Sequence, residues 1–116
     1  MATITYTVTV ASGTNQYGTG NKFYINGEVS PVLYLDEGNT YIFDQSDSSN
    51  ATHILAFSRN PNNSPALTYT TGVTTTGTPG NAGANTTIVV APVKKTGAPV
   101  LFYYCTVHSG MGNTAQ

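Results

Sequence analysis

Thr3 to Val10 alternates without a break: Ile4, Tyr6, Val8 and Val10 fall on one side, Thr3, Thr5, Thr7 and Thr9 on the other. Period two with β-branched residues on both sides predicts a half-buried strand. Ala11 to Asn21, rich in Gly, Asn and Ser, reads as a loop. Lys22 to Asn26 reads as a short strand, closed by a tight turn at Asn26-Gly27, two residue types that tolerate positive φ. Val32 to Leu35 resumes the strand pattern, Asp36-Glu37-Gly38-Asn39 is a turn, and Thr40 to Gln45 is a strand with Tyr41 and Phe43 on one face. After the polar loop Ser46 to Thr52, His53 to Ser58 is again strand-like.

Arg59 to Asn85 is dominated by Asn, Pro, Gly and Thr, with Leu67 to Thr70 and Val73 to Thr75 as its strand candidates. A connection of that length in a small domain carries function or an excursion of structure. Thr86 to Ala91 is an apolar β run, Val93 to Pro99 a turn region in which Lys94-Lys95 keeps an edge soluble, and Val100 to Cys105 an apolar, aromatic strand. In that strand Tyr103 and Tyr104 take opposite faces, one core and one surface. Residues 113–116 form a polar, frayed tail. The pattern predicts an all-β chain of about seven or eight strands, arranged as a two-sheet Greek-key sandwich.

Length and composition narrow the classes. The 116 residues suit one domain spanning 1–116, without room for a second catalytic one. Charged residues are 8% and the formal net charge is -1, so there is no basic footprint for nucleic acid or for an anionic membrane. No apolar run approaches the roughly 20 residues of a membrane-spanning helix. Met1 to Val10 has neither the basic start nor the apolar stretch of a signal peptide. The single cysteine excludes an intramolecular disulfide, so the core alone must hold the fold. Low charge and Thr/Asn/Gly/Ser richness point to a periplasmic, extracellular or virion-associated setting rather than a cytoplasmic one. They also suit a monomer, or a module of a longer protein.

The chemistry is concentrated in Tyr103-Tyr104-Cys105-Thr106-Val107-His108-Ser109-Gly110-Met111-Gly112. A strand delivers Cys105 to its end, and a short loop then presents His108 and Met111. Thiolate, imidazole and thioether are the soft and borderline donors that favour copper, and a mononuclear blue-copper site needs two His and one Cys in a near-trigonal plane with a weak axial Met. The chain's other histidine is His53, which completes the set. Against this stands a plainer reading: a buried Cys, a surface His and a Met used for packing. Zinc is the other metal to weigh, although structural zinc sites offer more thiolates and rarely a thioether. A Cys/His catalytic pair is disfavoured by the three-residue spacing on one tight loop.

Three segments carry a family resemblance. Leu35 to Phe43 is similar to a Gly-polar-Thr turn into a core strand, His53-Ile54-Leu55-Ala56-Phe57 to a His-x3-Phe strand, and Phe102 to His108 to a Tyr-x-Cys-x2-His strand and loop. The chain from about Val32 to Gly112 resembles the cupredoxins, most of all the plastocyanin and amicyanin branch, whose short-loop form has the spacing Cys-x2-His-x2-Met. The resemblance implies one copper per chain, cycling between Cu(I) and Cu(II), on His53, Cys105, His108 and Met111. It also implies electron transfer with a redox protein partner, and no enzymatic activity of the chain's own. A copper-binding display module of a larger extracellular or virion protein is the second function that the composition accommodates. Two positions depart from the family: Ile54 stands where many relatives have Asn, and Val107 where many have Pro. Neither is a ligand, but both bear on how firmly the site is held.

Overall fold

The computed structural model of the chain describes residues 2–59, 68–90 and 101–115. The turn expected at Val93–Pro99, with Lys94-Lys95, lies outside them, as do Leu67, Ala91 and Val100 from the predicted strands. The described residues form ten strands and no α-helix: β1 Thr3–Asn15, β2 Gly18–Ile25, β3 Glu28–Val29, β4 Thr40–Asp44, β5 Leu55–Ser58, β6 Thr68–Tyr69, β7 Val73–Thr76, β8 Asn85–Val89, β9 Leu101–Cys105 and β10 Asn113–Ala115. Seven have four residues or more; β3, β6 and β10 are short segments at or near sheet edges. One sheet has the order β3-β2-β1-β4-β8-β7, the other β10-β9-β5-β6.

The two sheets close on one core, as a sandwich does. Val8, Phe23, Ile25, Tyr41, Phe43 and Ile88 come from the larger sheet, and Leu55, Phe57, Leu101, Tyr103, Cys105 and Ala115 from the smaller. Alternation explains the assignment, since residues two apart on a strand share a face. Each fully buried Phe, Leu or Ile contributes roughly 1.5–3 kcal/mol. Phe43 and Phe57 meet edge to face across the gap, with ring centroids 5.5 Å apart.

β1 serves two partners in succession. Thr3 to Thr7 pair in parallel with β4, and Val8 to Asn15 pair antiparallel with β2. The segment from Ala11 to Asn21, expected as a loop, is therefore a hairpin arm, with Ala11 opposite Lys22 and Asn15 opposite Gly18. Gly, Asn and Ser mark it as exposed rather than irregular: an arm with one face in water needs few apolar side chains. Asn26 and Gly27 do form the tight turn into β3, with φ of 50° and 85°.

The C-terminus also differs from expectation. Asn113–Ala115 is not a frayed tail but pairs with Tyr103 to Leu101, and Ala115 is fully buried. Three polar-looking residues gave no sign of this, because the ladder bonds are backbone bonds. Val32 to Leu35 contributes only a bridge, Leu33 to Ala115, although Leu33 and Leu35 are buried. Both tyrosines of β9 are buried, where one surface residue was expected. Tyr103 sits in the core with its hydroxyl donating to the Pro31 carbonyl at 2.6 Å, and Tyr104 on the other face shares a 2.8 Å hydrogen bond with Thr68 at β6.

Gly112, at the start of β10, is required by close approach: a Cβ there would stand 1.9 Å from the Tyr103 carbonyl oxygen. Gly112→Ala is expected to lower the unfolding free energy by about 2–4 kcal/mol, since the obstacle is backbone that cannot move aside. Urea denaturation measures it; an unchanged midpoint would show that β10 shifts freely.

Candidate metal centre

The register of β5 and β9 builds the site. Leu55 lies opposite Cys105, so His53, two residues before Leu55, sits just past the end of β9, where the chain turns through Thr106 to His108. The result joins two segments 52 positions apart. His53 Nδ1 is 3.6 Å from Cys105 Sγ, His108 Nδ1 is 3.9 Å from the same sulfur, and the two rings tilt at 46° with centroids 4.7 Å apart. The three donor atoms all lie within 4.8 Å of one another.

These separations suit a shared ion. A thiolate about 2.3 Å and an imidazole nitrogen about 2.0 Å from one metal, opened by about 120°, stand about 3.7 Å apart. His53, Cys105 and His108 could therefore hold a metal ion.

Burial is graded across the three. Cys105 is fully buried, His53 is 7% exposed, and His108 is open to solvent. Burial first, and then the facing His108, push the His53 imidazole below its usual range, which keeps its nitrogen free for a ligand role in the metal-free state. Met111, the fourth expected ligand, is 1% exposed and belongs to the same core cluster as Cys105.

His53 is held by buried amides. Gln45 Nε2 donates to the His53 carbonyl at 2.7 Å and to Asn50 Oδ1 at 3.1 Å, while its Oε1 accepts from Leu55 N at 3.0 Å. Asn50 Nδ2 donates to the carbonyls of Val8 and Asp47, and the Asn50 carbonyl accepts from His53 N at 2.8 Å. Thr86, fully buried on β8, gives its hydroxyl to the Leu55 carbonyl across the sandwich. Leu55 thus has both backbone polar groups satisfied by side chains from the other sheet or the end of β4.

The segments that carry His53 and Cys105 are joined by a backbone bond beside Ile54. Thr106 N donates to the Ile54 carbonyl at 3.1 Å, a backbone bond that any residue at position 54 can make. Asn50 spends its side chain on Val8, Asp47 and Gln45.

The loop after His108 is clamped by the hairpin arm. The Gly110 carbonyl accepts from Asn15 Nδ2 at 2.9 Å and from Lys22 Nζ at 2.7 Å, and the Met111 carbonyl from Phe23 N at 3.0 Å and Ser30 Oγ at 2.9 Å. Asn15, Lys22 and Ser30 are the positioning residues that sequence reading missed, and their only local signal was a lysine inside an otherwise weakly charged strand. The clamp also changes the surface. Val107 and His108 are exposed, while Gly110, Met111 and Gly112 are buried.

The lowered imidazole fixes a pH dependence. Unfolded His53 takes up its proton near the ordinary value of about 6.5, before the folded one does, so stability is complete above that range and declines as pH falls below it. The urea midpoint of the metal-free chain should drop from about pH 7.5 to about pH 5.5, and His53→Gln should flatten that slope; equal slopes would refute the assignment. Comparison of the chain with protein-family models, with curated proteins and with solved structures gives no match.

Proposed function

We propose that the chain is a cupredoxin-like protein that binds one copper through His53, Cys105, His108 and Met111 and carries single electrons to and from a redox protein. The observation that supports this most is the convergence of two imidazole Nδ1 atoms on one buried thiol, at 3.6 and 3.9 Å. A tetrahedral arrangement with the same bond lengths predicts about 3.5 Å and a trigonal one about 3.7 Å. The 3.6 Å separation lies midway between the two and 3.9 Å exceeds both, so the donor set rather than the angle favours copper: two imidazoles, one thiolate and a thioether are the blue-copper combination.

Copper so bound would exchange one electron without needing a proton or a substrate at the metal. The chain's part is to keep the donors where both oxidation states accept them. Gln45 and Asn50 hold the His53 backbone, β9 holds Cys105, and Asn15, Lys22 and Ser30 hold the loop that carries Met111. Cys105 and His53 exclude water from one side, and the exposed imidazole of His108 offers the electron a route outward.

Addition of copper(II) to the pure chain should give one bound ion with an intense visible thiolate-to-copper band and the small hyperfine splitting of such sites in its paramagnetic resonance spectrum. Cys105→Ser should abolish the band and leave far-ultraviolet circular dichroism unchanged. A colourless one-to-one zinc complex, with no coloured copper form attainable, would refute copper.

Met111→Leu should keep metal and colour while raising the reduction potential in voltammetry, because an alkyl group withdraws a donor that favours the oxidised ion. Loss of all copper from that variant would show that Met111 is not a weak axial ligand.

A further inference from the structure

Beside His108 the surface dips into a cleft of about 580 Å³, between the tip of the hairpin arm and the ligand loop. Its walls include Tyr17, Asn21, Lys22, Val107, His108 and Ser109. The volume falls in the range of small-molecule sites. Its charge is the informative feature. Lys22 is only 3% exposed, and no carboxylate lines the cleft.

A buried ammonium without a counter-charge is costly, and lysine is almost never buried unless paired. Lys22 Nζ donates to the Gly110 carbonyl at 2.7 Å. That is one neutral acceptor for a group with three donors. A strut for Gly110 alone could have been neutral: Asn15 Nδ2 already reaches the same carbonyl at 2.9 Å.

We propose that this cleft binds a small organic carboxylate, with its charge on Lys22 and its body along Tyr17. A single buried cation matches a single negative charge, and a charge-assisted bond to a carboxylate is roughly twice as strong as a neutral one. Tyr17, half-buried at the tip of the arm, supplies a flat apolar wall. Asn21 and Ser109 add polar groups that can orient the bound anion. Because His108 lines the same cleft, the ligand would sit against the one exposed ring of the metal cluster. The inference goes beyond copper binding and does not require the metal to be copper.

Benzoate and its uncharged isostere benzamide are the probes, titrated into the isotopically labelled chain, metal-free and again with copper(I), while amide resonances are followed. Benzoate should produce saturable shifts confined to Tyr17–Lys22 and Val107–Gly110, with benzamide at least about tenfold weaker. Lys22→Met should abolish the benzoate response and Lys22→Arg should retain part of it. Should Lys22→Met disturb the loop, Tyr17→Ala, which leaves the Gly110 clamp intact, should still weaken benzoate severalfold. No saturable shift in either metal state, or equal affinity for benzoate and benzamide, overturns the proposal. Either result is independent of the visible copper band: benzoate binding to a chain that never colours would refute copper and leave the cleft, and a coloured chain that ignores benzoate would do the reverse.

Discussion

The antiparallel register that sets Leu55 opposite Cys105 is the constraint on which the rest of the site depends. Side chains alternate along a strand, so a slip of one residue would turn Cys105, Tyr103 and Leu101 out of the core together. Their burial, at 0%, 1% and 4% exposure, makes such a slip cost several kcal/mol. The same alternation carries His53 to the inner side, two residues ahead of Leu55. The hydrophobic core thus sets the distance between an imidazole and a thiol that are far apart in sequence.

Around that register the polar groups are arranged to leave little freedom. Gln45 and Asn50 are buried to 1% and 0% exposure and satisfy each other, the Leu55 amide, the His53 carbonyl and the Val8 carbonyl. Removing one member would leave buried partners unmet at about 1–3 kcal/mol each, so the network is stable only when complete. On the other side of the metal cluster, the hairpin arm holds two successive carbonyls, those of Gly110 and Met111. His53 is thus tied to the end of β4, and Met111 to β2 and its neighbours. The positions of these side chains are consequently properties of the whole sandwich rather than of the β9 loop alone.

Much of this was legible from residue pattern, for a reason that can be stated. Tyr41 and Phe43, Leu55 and Phe57, and Tyr103 and Cys105 announce their strands because one face is buried and the other is not, and period two follows. The metal cluster was legible because thiol and imidazole are rare in this chain and close together near its end. The hairpin arm from Ala11 to Asn21 and the strand at Asn113–Ala115 were not legible. Both are held by backbone ladders in which side-chain type matters little. Tyr104 was misjudged for a related reason. On the outer face of β9 its hydroxyl reaches Thr68 of β6, two strands along the same sheet, and alternation within one strand cannot reveal a partner offered by a distant segment.

The grading from a fully buried Cys105 to an exposed His108 bears on what kind of site this fold can support. A wholly buried cluster would hold its metal apart from any partner, and a wholly exposed one would leave the thiol open to oxidation and the ligands free to wander. Here the sulfur lies in the core, one imidazole seals the inner side, and the other reaches the surface. Ile54 fits this arrangement. The link between the two ligand segments passes through its backbone carbonyl, so the side chain at 54 is released from holding the loops together. Rigidity is supplied from farther away, by amides under His53 and by the arm beyond Met111. Beside His108 the surface is open, and the cleft lined by the buried Lys22 lies there.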